Sequence, residues 1–118
     1  MYQSFEKLDV WKRSTALAVR VYEILNECRD FGLKDQMTRS AVSVPSNIAE
    51  GAERDSVKDF ARFLNIAQGS AAELRTQVYI ASSIGVLSKT QQEELTSELK
   101  EISRMLHGLV KSQLKTIS

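Results

Sequence analysis

Apolar residues recur along this chain in steps of three and four, the spacing of one helical face, over four successive segments. In the first, Val10, Leu17, Val21, Ile24 and Cys28 share a line, with Trp11, Ala18, Tyr22 and Leu25 beside it. This predicts a helix with Asp9 as N-cap that runs to about Glu27. In the second, Met37, Ala41, Val44 and Ile48 line up, and the register carries on past Pro45. One kinked helix is therefore predicted, with the Ala41 carbonyl freed by the missing proline N–H and satisfied by Asn47 or a neighbouring subunit. The third segment places Val57, Phe60, Leu64, Ala67, Ala71, Leu74, Val78 and Ala81 in an unbroken seam like that of a coiled coil. From Ser56 to Ile84 such a helix would extend roughly 43 Å, so its partners must also be long. The fourth has Leu95, Leu99, Ile102, Leu106, Leu109 and Gln113 facing inward, widened by Met105, Val110 and Leu114.

The punctuation agrees with four helices. Gly32, Gly51 and Gly85 are expected to stop the first three, each able to take a left-handed cap conformation. Ser56-Val57-Lys58-Asp59 and Ser88-Lys89-Thr90-Gln91 read as capping boxes that start the third and fourth. No turn dipeptide joins two alternating runs, so strands are not expected. The fold class is all-α: an up-and-down antiparallel four-helix bundle with a kinked second helix, in a single domain over residues 1–118.

With 118 residues and 42% hydrophobic content, such a bundle can bury a core without disulfides or a structural metal. Sixteen basic against fifteen acidic residues give a net charge of +1, which removes a bulk positive field as a basis for nucleic-acid binding. Any basic patch must be local. The one cysteine, Cys28, has no partner for an internal disulfide and lies on the apolar line of the first helix, where a packed, inert thiol is expected. The amino terminus lacks an apolar signal core, and no apolar run approaches the roughly 20 residues that span a bilayer. A cytoplasmic protein without a membrane partner is the expectation.

The segment from Arg39 to Gly51, with Val-Pro-Ser-Asn-Ile-Ala-Glu-Gly at its centre, is the most distinctive part of the chain. With Phe60, Phe63-Leu64-Asn65-Ile66-Ala67-Gln68-Gly69-Ser70, Glu73-Leu74 and, more weakly, Leu8-Asp9-Val10-Trp11-Lys12, it closely resembles the 23S ribosomal-RNA intervening-sequence protein family of bacteria. The resemblance covers nearly the whole chain. It implies an up-and-down bundle that assembles as a ring-like homopentamer, without known enzymatic activity. A related branch, the accessory variability determinants of diversity-generating retroelements, looks like a basic pentameric barrel that binds nucleic acid and a reverse transcriptase. The near-neutral charge of this chain differs from that branch.

Three sets of residues are candidates for function. Arg39, Ser43, Asn47, Glu50 and Arg54 form a polar stripe beside the apolar line of the second helix. If buried between subunits it would fix register, because a polar group left unpaired there costs about 1 to 3 kcal/mol. An exposed Glu50–Arg54 pair would instead contribute about 0.3 to 0.5 kcal/mol. Phe63, Ile66, Ser70, Gln77, Ile80 and Ile84 flank the seam of the third helix and exceed what one bundle needs, as an oligomer interface would. Gly69 lies there too, through close approach of a neighbouring backbone or through tolerance on a solvated surface. Lys100, Arg104, His107, Lys111 and Lys115 run along the side of the fourth helix opposite its apolar face, the pattern of a solvated face or of a phosphate-binding row. A pentamer would display that row five times and sum its field. No aromatic residues interleave with it, so stacking on bases is not expected.

Catalysis finds little support. Asn47, Glu50, Arg54 and Glu73 are the best available polar cluster, but one histidine, no phosphate-cradling glycine loop and no zinc-ligand spacing leave no nucleophile–base pair or metal site. The expectation is a non-enzymatic, homopentameric scaffold without cofactors whose partners are itself and RNA or DNA backbone. The alternatives are a protein–protein interaction adaptor, with a reverse transcriptase as one such partner, and a purely self-assembling structural protein.

Overall fold

A computed structural model describes residues 4–117. Four α-helices follow one another: α1 (Asp9–Ile24), α2 (Phe31–Ala52), α3 (Val57–Ser83) and α4 (Lys89–Lys115), with a 3-10 turn at Phe5–Lys7 before them. No strand occurs among the described residues. Side-chain pairs fix the directions: Ser40 meets Glu73 and Ser43 meets Ser70, so α2 and α3 are antiparallel, and Arg13 meets Glu98 while Arg20 meets Glu94, so α1 and α4 are too. The result is an up-and-down bundle of 47 × 20 × 18 Å, as long as the seam of α3 requires.

One continuous core joins all four helices. Val21, Met37, Ile48, Leu64, Leu74, Val78, Leu99, Ile102 and Leu106 are completely buried in it. Each such side chain contributes about 1.5 to 3 kcal/mol of apolar transfer energy, which makes the three-and-four pattern decisive for the fold. On α4, Val110 is buried where Leu109 and Gln113 are only half-buried. Cys28 is half-buried against the core, with Sγ 3.7 Å from the Asp30 carbonyl oxygen.

The helix ends depart from the sequence reading in physically informative ways. Leu8, not Asp9, occupies the N-cap of α1; Asp9 sits in the first turn, where its carboxylate faces the positive end of the helix dipole. The entry is set instead by the 3-10 turn, whose Phe5 ring packs edge-on to Trp11 at 5.2 Å. α1 stops at Ile24 because residues 25–27 tighten into a turn that buries Leu25. Gly32 does not end a helix. It lies in the first turn of α2, which Asp30 caps by accepting a hydrogen bond from the Leu33 N–H at 3.1 Å.

Gly51 is not a cap either: it lies inside α2 and is buried. A Cβ at this position would sit 2.7 Å from Phe63 Cβ and 3.1 Å from a Phe60 ring carbon, so glycine is what lets α2 and α3 come together here. Only Gly85 behaves as expected, with φ of +83°. Val86 N–H donates to the Ala81 carbonyl at 2.8 Å and Gly85 N–H to Ser82 at 3.2 Å, the paired bonds of a left-handed helix stop. Ser56 and Ser88 do start α3 and α4: Ser56 caps one way, accepting from Asp59 N–H, whereas Ser88 and Gln91 cap each other reciprocally as a full capping box.

Pro45 lies within α2, buried, and the helix is a single element through it. Asn47 does not satisfy the Ala41 carbonyl. Its amide donates to the Ser43 carbonyl at 2.8 Å and to Ser43 Oγ at 3.0 Å, half a turn further along.

Candidate functional site

Two surfaces carry the residues that the sequence singled out. The first is the outer side of the α2–α3 hairpin. Here Ser43 Oγ and Ser70 Oγ are 2.8 Å apart, with Asn47 donating to Ser43 from one side and Ser40 Oγ reaching Glu73 Oε1 at 3.3 Å on the other. These groups form a half-buried polar ladder. Further along α3, Gln77 Oε1 is buried and has no hydrogen-bond donor. Ser40 and Glu73 were absent from both interface sets, although their spacing of three from Ser43 and Ser70 was a usable signal.

Arg39 stands apart from the ladder. Its side chain is 79% exposed and pairs with Asp35 one turn back at 2.9 Å, because position 39 points straight out from α2. Glu50 and Arg54 form the expected exposed i,i+4 pair at 2.8 Å. The structure does not gather Asn47, Glu50, Arg54 and Glu73 into one cluster. Glu73 faces Ser40, ten residues and about 15 Å along α2 from Glu50.

The flank of α3 divides. Ile66, Ile80 and Ile84 are 42%, 50% and 58% exposed, whereas Ser70 and Gln77 are half-buried. Phe63, grouped with them on sequence, belongs to the protomer: it is 7% exposed, packs against Gly51 and lies beneath two guanidiniums, Arg62 at 4.5 Å and Arg54 at 4.9 Å from its ring centroid. Gly69 has open space where a Cβ would stand, so nothing within the protomer requires glycine there.

The second surface is the outward side of α4 and the neighbouring turns of α3. Lys100, Arg104, His107, Lys111 and Lys115 are all exposed. Arg104 is engaged by Glu101 one turn earlier, through Nε at 3.1 Å and through Nη2, and Arg13 of α1 lies 3.9 Å from the same carboxylate. The Arg104 hydrogen bond holds the Glu101 carboxyl below the ordinary carboxylate range and raises the guanidinium in turn. This tether discounts one of the five positions. Lys100 and Lys111 have no acidic partner among the described residues, and Lys115 lies in the last turn of α4, where the helix dipole favours a cation.

Sequence reading missed the α3 side of this surface because it followed only the apolar seam. Lys58, Arg62 and Asn65 lie at i, i+4 and i+7, and with Ala61, Ile66 and Leu114 they line a groove of about 500 Å³ between α3 and α4. Leu114 is the α4 residue of this lining, so the C-terminal end of α4 and the first turns of α3 share one end of the bundle, where Arg62 lies 3.9 Å from Asp59.

Among the described residues no group of three or more His, Cys, Asp and Glu side chains is placed to hold a metal ion. No helix is long and apolar enough to cross a membrane.

No curated protein matches the chain. A solved structure does: that of a protein of unknown function from Bacteroides thetaiotaomicron, of the S23 ribosomal protein family, is similar over 86% of this chain and 98% of its own, at 30% identity and a TM-score of 0.82. The profile of the 23S rRNA-intervening sequence proteins matches residues 6–108, a span that takes in the proline-containing helix α2, the ladder, the exposed isoleucines and Lys100, Arg104 and His107 of the α4 row. The chain therefore belongs to the 23S rRNA-intervening sequence protein family.

Proposed function

We propose that this protein is a self-assembling scaffold, a homopentamer, that holds RNA or DNA by the phosphate backbone through the outward side of α4. The observation that carries this reading is the separation of two surfaces. A polar ladder between α2 and α3, with the unpartnered Gln77 Oε1 and the exposed isoleucines along α3, forms one surface, and a row with unpaired Lys100 and Lys111 lies on α4. A charged row on a different helix stays accessible when the apolar flank is covered. The number five rests on the family resemblance, and the ligand class on charge. In a ring, copies of the row sum their potential, which offsets the low net charge of the single chain.

The proposal is of binding without catalysis or cofactor; Glu73 faces Ser40 and does not join the Glu50–Arg54 pair. The test has two arms. Light scattering coupled to size exclusion should give a single species of five protomers, and Ile80→Glu should dissociate it while helical circular dichroism persists, because a charge in an apolar interface lacks a partner. A clean monomer for the unaltered protein defeats the assembly. Mobility shifts across a salt series should show binding that falls steeply with salt and depends weakly on sequence. Exchange of Lys100, Arg104, Lys111 and Lys115 to Gln should keep the oligomer and reduce both affinity and salt slope. If the exchange changes nothing, or nucleic acid is not bound at low salt, the protein-adaptor reading replaces this one.

A further inference from the structure

Resting on the pentameric reading, we infer that copies join head to tail: the outer stripe of α3 in one copy seats against the outer stripe of α1 in the next, with Glu73 facing Lys12 and with Ile80 and Ile84 facing Val19 and Tyr22. A closed ring of five requires two different surfaces to meet at every joint. The isoleucines of α3 supply only one of them. On α3, Ile66, Ser70, Glu73, Gln77, Ile80 and Ile84 follow one another in steps of four and three, a second seam beside the one buried in the protomer. The exposed apolar residues of α1 fall on a matching line, Lys12, Thr15, Val19 and Tyr22, in steps of three and four.

Both lines border α2. Ser70 and Glu73 meet Ser43 and Ser40 on one side of it, and Tyr22 shares a depression with Lys34 on the other. Contacts that lean toward the same helix turn successive copies the same way, which curves the row with α2 toward the axis and α4 outward, its cations uncovered. The two lines also complement each other. α1 and α3 run in the same direction and finish at the end of the bundle where α4 begins, as the meeting of Arg20 with Glu94 shows. Cyclic symmetry has no translation along its axis, so in a ring of upright bundles residues of equal height meet. Val19 and Tyr22 then oppose Ile80 and Ile84, and Lys12 opposes Glu73, over about 15 Å of each helix. Neither Lys12 nor Glu73 has an ion pair among the described residues. Between them lie Thr15 and Gln77, whose Oγ1 and Oε1 have no hydrogen-bond partner in the protomer. The α3 stripe packed on its own two-fold copy makes a poorer joint. The helices would pair antiparallel about residue 75, which sets the two Glu73 carboxylates about 6 Å apart along the seam with no cation on either stripe.

The experiment reads mass by light scattering coupled to size exclusion at micromolar protein, with circular dichroism as the control for folding. Val19→Glu should reduce five protomers to one while helix content is kept, since Val19 is exposed in the protomer. Lys12→Glu sets like charges against each other and should raise the concentration at which the ring dissociates by about tenfold or more. Adding Glu73→Lys to Lys12→Glu should bring that concentration back toward wild type. If Val19→Glu keeps five protomers while Ile80→Glu dissociates, the inference is overturned and the assembly stands with a different second surface. A wild-type dimer overturns it as well, as does a double charge variant that assembles more weakly than Lys12→Glu alone. A wild-type monomer overturns the assembly reading itself.

Discussion

Between α2 and α3 the backbones come so close that Gly51 has no room for a methyl group, and half-buried hydroxyls and amides meet along the outer edge. Between α1 and α4 the gap is bridged instead by bidentate ion pairs: Arg13 with Glu98 at 2.9 and 2.6 Å, and Arg20 with Glu94 at 2.7 and 3.1 Å. They span a cleft of about 460 Å³ with Ala16 and Leu17 in its lining. The first seam is held by shape and the second by charge. Shape is insensitive to salt and intolerant of added volume, whereas exposed charge pairs tolerate substitution and weaken with screening. The α2–α3 seam is thus suited to carry a fixed surface, the ladder and the isoleucines, and the α1–α4 seam is the one that conditions can loosen.

The largest effect should come from adding a methyl group on the shape-held side. Gly51→Ala should destabilise the protein by about 1 to 3 kcal/mol, the usual cost of overpacking, in spite of alanine's better helix propensity. Urea unfolding at fixed protomer concentration measures it. The same change at Gly108, which has open space, should stabilise by up to about 1 kcal/mol. Opposite signs from one substitution would establish that close approach and not helix propensity governs position 51; equal signs would break the contrast. Gly69→Ala sharpens it further, because a gain there matches the open space of the protomer and a loss of assembly would reveal a neighbouring copy's backbone.

Smaller effects are expected in the ladder. Ser43→Ala removes the side-chain acceptor of Asn47, which keeps the Ser43 carbonyl, and the partner of Ser70 together, and should cost about 1 kcal/mol, nearly independent of salt. A salt-dependent loss would mean that this edge behaves like the α1–α4 seam.

The smallest effect belongs to the charge-held seam. Arg20 hydrogen-bonds the Glu94 carboxylate and holds its pKa below the ordinary range. A carboxyl with a depressed folded pKa stabilises the fold above its unfolded value of about 4.3, and that stabilisation disappears as pH falls through the folded value. Wild type should therefore lose more stability than Glu94→Gln on acidification below pH 4, with the two converging in high salt. Since both side chains are 43% exposed, the difference should be less than that at Ser43. Parallel acid profiles for the two proteins would show that the ion pair does not hold α1.

Much of this architecture was legible in the residues. The buried lines of α2 and α3 follow the three-and-four pattern because apolar burial dominates the energy and depends only on which face a residue occupies. Ser56 and Ser88 announce their helices because capping is a bond within four residues. Gly85 is read correctly for the same reason. Gly32 and Gly51 are misread because glycine has more than one use, and sequence does not separate a left-handed turn from a close crossing. Phe63 is buried within the protomer because Gly51 and Arg54 at the end of α2 close over it, and helical period within α3 does not carry that contact.

The candidate surfaces show the same division. The sequence placed Lys100, Arg104, His107, Lys111 and Lys115 on one exposed side of a helix, and Ile66, Ile80 and Ile84 outside the seam, because helical period alone sorts residues within an element. It could not bring Lys58 and Arg62 of α3 into one groove with Leu114 of α4, pair Ser40 with Glu73, or show that Glu101 tethers Arg104 while reaching toward Arg13. What the chain determined by itself was local: the period, the caps and the sign of each face. Which faces meet depends on the register between helices, and one contact that constrains it is the crossing where Gly51 of α2 leaves no room for a Cβ beside Phe60 and Phe63 of α3.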